Sequence, residues 1–529
     1  MKFNKHILRL LALITVLVFT LTMMAPAALA VTPAEIHASV DAGLAWLATQ
    51  QNATSGSWGS SSLVAHTALA VLKFEHHAVF GLGISPFDED YIYHTNVEKG
   101  LDYLFSRAVH LAGPLTSSRG DPDPDDDGGI LIYQNGSEIM YEDGAAMMAI
   151  AASNAPGRVV NVAGSYVNGW QYSEVLQEMV DAVAYAQEDD GSPGPRGGWR
   201  YVPEGGADNS VSGYPTLGLG YAQAPAPWGF GLTVPAFVKT ELSIWIDYIQ
   251  NDASGGSGYD GPGTWVNVYK TGNLLYEMAL VGDTLTTPRV QQAINYLVNN
   301  WNAAYTAGDF SAAGWKDGPT TSLYHGTFTM MKGLEAFGIG LIGGINWYGE
   351  FANELLPEQT VAGNWPYGSY GGDTVLETAW ALLTLQRAVP PPNLSLTPVT
   401  ATNYVGTSHT LTATLVDNAG APVPNETITF TVILGPHMGQ SGTGVTNANG
   451  QTTWSYTGAS LGLDRIQASG AEAISNHALK LWETGGGPGP EVGGDVYPVN
   501  KAALLAPWIA LVAIITGTAI TMRRRRSQS

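Results

Sequence analysis

An acidic run, Asp121-Pro-Asp-Pro-Asp-Asp-Asp127, stands directly before Gly128-Gly129. Asp121, Asp123, Asp125 and Asp127 alternate along it, and hard carboxylate oxygens at such spacing suit calcium. The run lacks the full EF-hand pattern with its twelfth-position Glu, and its prolines and glycines place it in a loop. A solvated acidic loop is therefore the competing reading. A second candidate set lies where apolar helices are expected to begin: His66, Glu142, Asp143, Asp208, Asn209, Asn273, His325 and Asp373, with Glu277 and Glu377 about a turn further in. Tyr141, Tyr214, Tyr324 and Tyr370 accompany them, and Trp199 and Trp365 occupy glycine turns nearby. Carboxylates, His and Tyr around a groove are what general acid–base work on a glycan needs, with the aromatic rings as ligand-binding surfaces. Asp, Asn and Thr at helix starts also serve as plain caps. The chain has no cysteine, which excludes a thiolate nucleophile, Cys-ligated zinc and an internal thioester.

The elements that must position these groups follow from a repeat. An amphipathic helix, a glycine-and-Trp turn and a second, more apolar helix recur six times. The pairs are Val40–Gln51 with His66–Phe74, Val97–Ala108 with Tyr141–Ser153, and Val175–Gln187 with Ser210–Ala222. They continue as Val238–Gln250 with Gly272–Val281, Val290–Trp301 with Gly326–Phe337, and Trp347–Leu356 with Thr374–Arg387. One-faced first helices suit the outside, and second helices that are apolar nearly all round suit the inside. The expectation is a closed (α/α)6 toroid over residues 31–389; an open solenoid is the alternative.

Gly43-Leu44-x-Trp46-Leu47-x-x-x-Gln50, Gly56-x-Trp58-Gly59 and Thr67-Ala68-Leu69 resemble the repeat of the squalene cyclase and prenyltransferase (terpenoid cyclase) superfamily. Gly198-Trp199-Arg200-Tyr201, Asp208-Asn-Ser-Val-Ser-Gly213 and Glu377-Thr-Ala-Trp-Ala-Leu382 look similar to its later repeats. The resemblance covers roughly residues 33–388 and implies the fold more than any activity. Asp123-Pro124-Asp125-Asp126 formally matches the Asp-x-Asp-Asp acid of squalene-type cyclases. That chemistry requires Asp125 or Asp126 buried in a dry aromatic pocket. The family's zinc and thioester chemistries both need a cysteine that this chain lacks.

After Pro390-Pro391-Pro392 the period becomes two, as in His409–Val416 and Thr427–Val432, which reads as an all-β sandwich over 390–484. Asp417-x-x-Gly420-x-Pro422-Val423-Pro424, Thr446-x-x-x-Gly450 and Gly462-x-Asp464 resemble bacterial Ig-like domains of the invasin and intimin type. Such domains are spacers or adhesion modules.

Both ends carry apolar runs. Residues 1–30 read as a signal peptide cleaved after Ala28-Leu29-Ala30. A Gly/Pro linker at 485–501 leads to an expected transmembrane helix at 502–522 and a basic cytoplasmic tail at 523–529. A sortase-like cut before that helix stays open, as does the use of N-x-Ser/Thr sites at Asn52, Asn135, Asn393 and Asn425. The chain has 23 basic and 45 acidic residues. Three basic residues lie in the first thirty and five from Lys501 onward, so the segment between carries 15 against 45, a net −30. Such a charge repels nucleic acid and attracts cations.

The expected whole is a multidomain, single-pass, cell-surface protein: toroid, Ig-like stalk, C-terminal transmembrane helix. It would bind a glycan, a polypeptide or an apolar ligand, with calcium as the one cofactor suggested. The alternatives are an extracellular polysaccharide hydrolase or lyase using the inner-helix carboxylates and, further off, a terpenoid cyclase.

Overall fold

The computed structural model describes residues 31–189, 194–203, 205–305, 309, 311–317, 321–366, 374–386, 393–416, 422–470 and 473–484. Its helical part alternates two kinds of helix. The first kind comprises α1 (Pro33–Thr49), α3 (His94–Phe105), α5 (Tyr172–Tyr185), α7 (Ala236–Ile249), α9 (Pro288–Asn300) and α11 (Trp347–Glu358). The second comprises α2 (Leu63–His76), α4 (Ile139–Ala152), α6 (Asn209–Gln223), α8 (Val268–Leu280), α10 (Tyr324–Ala336) and α12 (Thr374–Leu385). The second set forms the inner layer. Each of its members packs on the next, and α12 packs back on α2, so the ring is closed.

Burial explains the sorting. Helix α2 is buried from Val64 through His76 and α12 from Val375 through Leu385. Helix α9 buries only Val290, Ala293, Tyr296 and Leu297, a single stripe at helical spacing.

The glycine-and-Trp turns are the joints of the ring. The indole N–H of Trp58 donates to Leu47 O (2.7 Å), Trp199 to Val183 O (2.9 Å), Trp315 to Trp301 O (3.0 Å) and Trp365 to Leu355 O (2.8 Å). Each bond ends on a carbonyl in or just past the last turn of the preceding outer helix, where the regular i+4 donor runs out; Leu47 O also accepts the Gln50 N–H. A glutamine completes the joint. The Nε2 of Gln51 donates to Gly56 O and to Asn96 O of the next outer helix. Gln187 bridges Gly197 O and Val238 O, and Gln250 bridges Gly255 O and Arg289 O. Gln359 bridges Gly363 O and Ser39 O, which ties the sixth repeat to the first. Glycine is required at these turns. Gly197 has φ +89°, and a Cβ there would lie 1.9 Å from Glu241 O.

Two features correct the expected fold class. The ring is not all-α: the insert after α3 is an antiparallel hairpin, β1 (Ala108–Ala112) with β2 (Gly128–Ile132), and a short ribbon pairs β3 (Lys316–Asp317) with β4 (Thr321–Ser322). In addition, no helix among the described residues is long and apolar enough to cross a membrane. The most apolar ones, α4 and α12, have 14 and 12 residues, about 20 Å against a hydrocarbon core of about 30 Å. The transmembrane helix, the single-pass topology and the membrane localisation are withdrawn on this finding. Residues 1–30 and 502–522, to which the signal and the span were assigned, lie outside the described residues.

The described residues between 393 and 484 form two facing sheets. One has the order β10 (Gln451–Thr457), β7 (Ser408–Val416), β5 (Asn393–Thr397). The other runs β6 (Thr400–Tyr404), β13 (Ala478–Glu483), β11 (Gly462–Gly470), β8 (Thr427–Leu434), β9 (Ser441–Val445), with β12 (Ala473–Ile474) beside β11. Leu396, Leu411, Leu415, Ile428, Phe430, Ile466 and Trp482 fill the space between them. Asp464 is wholly buried there and accepts from His437 Nδ1 (2.7 Å), Tyr456 OH (2.9 Å), Trp482 Nε1 (2.8 Å) and the His437 backbone N–H (3.1 Å). His437 Nε2 in turn accepts the backbone N–H groups of Ala459 and Ser460. These bonds place the imidazole proton on Nδ1.

Candidate metal centre

The hairpin delivers the acidic run to the side of the ring. Strand β2 is buried along its whole length and packs on α5. A Cβ on Gly129 would already meet Ala182 at 3.0 Å. Close approach of strand to helix therefore sets the 113–128 loop over α5. The loop is closed by Asp123, whose Oδ2 accepts the backbone N–H groups of Leu115 (2.8 Å) and Gly128 (3.0 Å). Asp126 and Gly128 turn the chain at φ +64° and +112°, and a Cβ on Gly128 would lie 2.2 Å from Leu111 O.

Five carboxylates meet here. Asp123, Asp125 and Asp181 each offer an oxygen within 4.8 Å of the others, and so do Asp125, Asp127 and Glu178. Two oxygens bound to one calcium ion at about 2.4 Å stand no further apart than about 4.8 Å, so each trio fits around a single ion. Asp123 and Asp181 are buried, at 0% and 2% exposure, and Asp123 Oδ1 has no hydrogen-bond partner. A buried carboxylate oxygen left bare in this way costs on the order of a few kcal/mol, which a cation would remove. None of the five takes part in the ion pairs of the described residues.

Burial and mutual repulsion raise the carboxyls of this cluster. Burial, then the neighbouring Asp127, Asp181 and Asp125, pushes Glu178 up to about 9. Burial, partly opposed by the Gln177 amide and reinforced by Asp125, Asp123 and Asp127, pushes Asp181 up to about 7. Asp125 is raised by burial and by Asp127. The donors are all hard oxygens, which suits calcium better than a thiophilic or imidazole-seeking metal.

Of the sequence candidates, Asp123, Asp125 and Asp127 join this centre. Asp121 does not: it is exposed and its Oδ1 accepts the Asp123 backbone N–H at 3.1 Å, an Asx turn. Glu178 and Asp181 escaped sequence reasoning. Their only signal is a pair of carboxylates at i, i+3 set among the apolar Met179, Val180 and Ala182. Asp125 and Asp126 are exposed, so the buried acid that alkene protonation needs is not formed.

The inner-helix candidates are mostly engaged with the scaffold. Glu142 Oε2 accepts the N–H groups of Gln134 (2.7 Å) and Asn135 (2.9 Å), and Asp143 Oδ1 accepts that of Ile132 (2.6 Å). Both therefore hold the hairpin's return into α4. Asp208 caps α6 through Val211 N (2.9 Å) and lies 3.7 Å from Arg200 Nε. Glu277 is wholly buried, and burial drives its carboxyl far above the usual range. Trp199 and Trp365 are wholly buried and bonded to helix ends, so they are not ligand platforms. Tyr324 and Glu377 are buried. Tyr141 and Tyr214 meet edge to face (4.6 Å), and His325 lies against Tyr214 (6.4 Å) and Trp380 (4.9 Å). Burial, then Lys270, lowers His325 to about 4. Tyr370 and Asp373 lie outside the described residues.

No protein-family model matches this chain. A search of curated proteins gives no match either.

Proposed function

We propose that the chain is a calcium-dependent binding protein in which the helical ring holds a ligand and the metal centre fixes the hairpin insert to α5. The observation that carries this reading is the convergence of Asp123, Asp125, Asp127, Glu178 and Asp181 from two separate segments, with one buried oxygen unpartnered. The spending of Glu142, Asp143 and Asp208 on backbone N–H groups supports binding over hydrolysis, because a carboxylate committed to the scaffold is a poor proton shuttle. The closed double-layered ring and the sandwich are in keeping with the squalene cyclase/prenyltransferase-like and invasin-like resemblances; the invasin-like one implies no catalytic residue.

The test is calcium titration of the metal-stripped protein by calorimetry, with Asp123→Ala and Asp181→Asn beside it. Saturable binding of about one ion per chain that both variants lose supports the centre. Calcium binding that is absent, or unchanged in both variants, removes it.

A further inference from the structure

A cavity of about 290 Å³ lies where the inner helices end, away from the metal centre. It is framed by the last turns of α6, α8 and α10 and by the π-helical segment His77–Leu82 that follows α2. Its walls include Phe80, Trp228, Tyr221 and Tyr276, with Lys332 and Glu335 on one face of α10. Phe80 and Trp228 stack with centroids 4.3 Å apart and planes at 14°.

Lys332 is the unusual member. It is 5% exposed, its Nζ donates to Tyr221 OH at 2.7 Å, and it lies 5.1 Å from that ring. Since the ammonium donates into the phenol oxygen, the phenol hydrogen is free to go to His76 Nε2, 3.3 Å away. An ammonium has three donors, and Tyr221 takes one. Among the described residues Lys332 makes no ion pair and no second hydrogen bond. Its position near the C-terminus of α10 favours a positive charge; burial pulls its pKa down, partly opposed by Glu335. A partner that brings an acceptor with a negative charge resolves that conflict.

We propose that this cavity binds a small aryl monocarboxylate, with the carboxylate on Lys332 and the ring among Phe80, Trp228 and Tyr276. Glu335, three residues on, disfavours a second negative charge. At about 290 Å³ the cavity stands at the small end of ligand pockets, which run from roughly 300 Å³ upward, so it suits a single-ring ligand such as phenylacetate. Most known pockets of this kind are apolar with few polar groups that fix orientation.

The experiment is calorimetry of the full chain with phenylacetate, phenylacetamide and phenethylamine, each with calcium and with chelator. Phenylacetate is expected to bind saturably. Lys332→Met and the change of probe to phenylacetamide should each weaken it at least about tenfold. Ala279→Trp, which fills the cavity and leaves every charged group in place, should abolish it, with circular dichroism showing both variants folded. Preference for phenethylamine, no heat from phenylacetate up to about 10 mM, or binding unchanged in Ala279→Trp would overturn the proposal. Loss of calcium binding would leave these outcomes readable, because the two sites share no residue.

Discussion

Calcium binding at the hairpin centre should be strongly proton-coupled. At neutral pH Glu178, at about 9, holds its proton and Asp181, at about 7, is roughly half protonated, and a calcium ion takes only ionised carboxylates. At pH 6 both groups are protonated and about two protons must leave per ion; at pH 8 only that on Glu178 remains, and about one leaves. Between those pH values the ionised fraction rises roughly tenfold through Asp181 and roughly ninetyfold through Glu178, so affinity should rise on the order of a thousandfold. The sign for the metal-free fold runs the other way. The ordinary values of these groups are 4.5 and 3.8, and a raised folded-state pKa means the native state binds more protons than the unfolded chain above them. The stripped protein therefore loses stability as pH climbs from about 4 toward 9, and calcium restores it. Calorimetry at pH 6 and pH 8, in buffers of contrasting ionisation enthalpy, gives affinity and proton count together. An affinity change below about tenfold, or no net proton release at pH 6, would show that Glu178 and Asp181 are not ligands.

Other perturbations report on the frame. At a calcium concentration a hundred times Kd, stabilisation should reach about 2.7 kcal/mol, or roughly 4 °C in Tm for a ring of this length; scanning calorimetry should show the shift in the native chain and not in Asp123→Ala. Gln359→Ala removes the bond to Ser39 O that joins the last repeat to the first and the bond to Gly363 O within the last repeat and should cost about 2 kcal/mol, with hydrogen exchange rising first around Ser39; unchanged protection there would argue against its role in closure. Asp464→Ala strands His437, Tyr456 and Trp482 inside the sandwich and should cost about 3–5 kcal/mol in denaturant unfolding, whereas a loss under about 1 kcal/mol would mean water replaces the carboxylate. Trp199→Phe drops the N–H to Val183 O and leaves a cavity at a wholly buried site, so more than about 1 kcal/mol should be lost in denaturant unfolding.

Local pattern already contains the helices of the ring. Their 3.6-residue periodicity, the Gly-Trp turns and the capping residues act over a few positions, and Val290, Ala293 and Leu297 mark a buried stripe in α9 from the sequence alone. The switch to period two after the prolines marks the sandwich in the same way. Tertiary structure decided the rest. The insert reads as a loop because Pro122, Pro124 and Gly128 are turn formers, yet it is tied into a hairpin whose partner strand and supporting helix are distant in sequence. Trp199 and Trp365 read as ligand-binding surfaces, but a buried indole N–H needs an acceptor, and the carbonyls at the helix ends supply it. The metal centre was half visible: Asp123, Asp125 and Asp127 stand side by side in the chain. Glu178 and Asp181 belong to a helix more than fifty residues later. No local rule brings them under the loop, because their approach is fixed by the packing of β2 on α5, a contact between faces that sequence spacing does not encode.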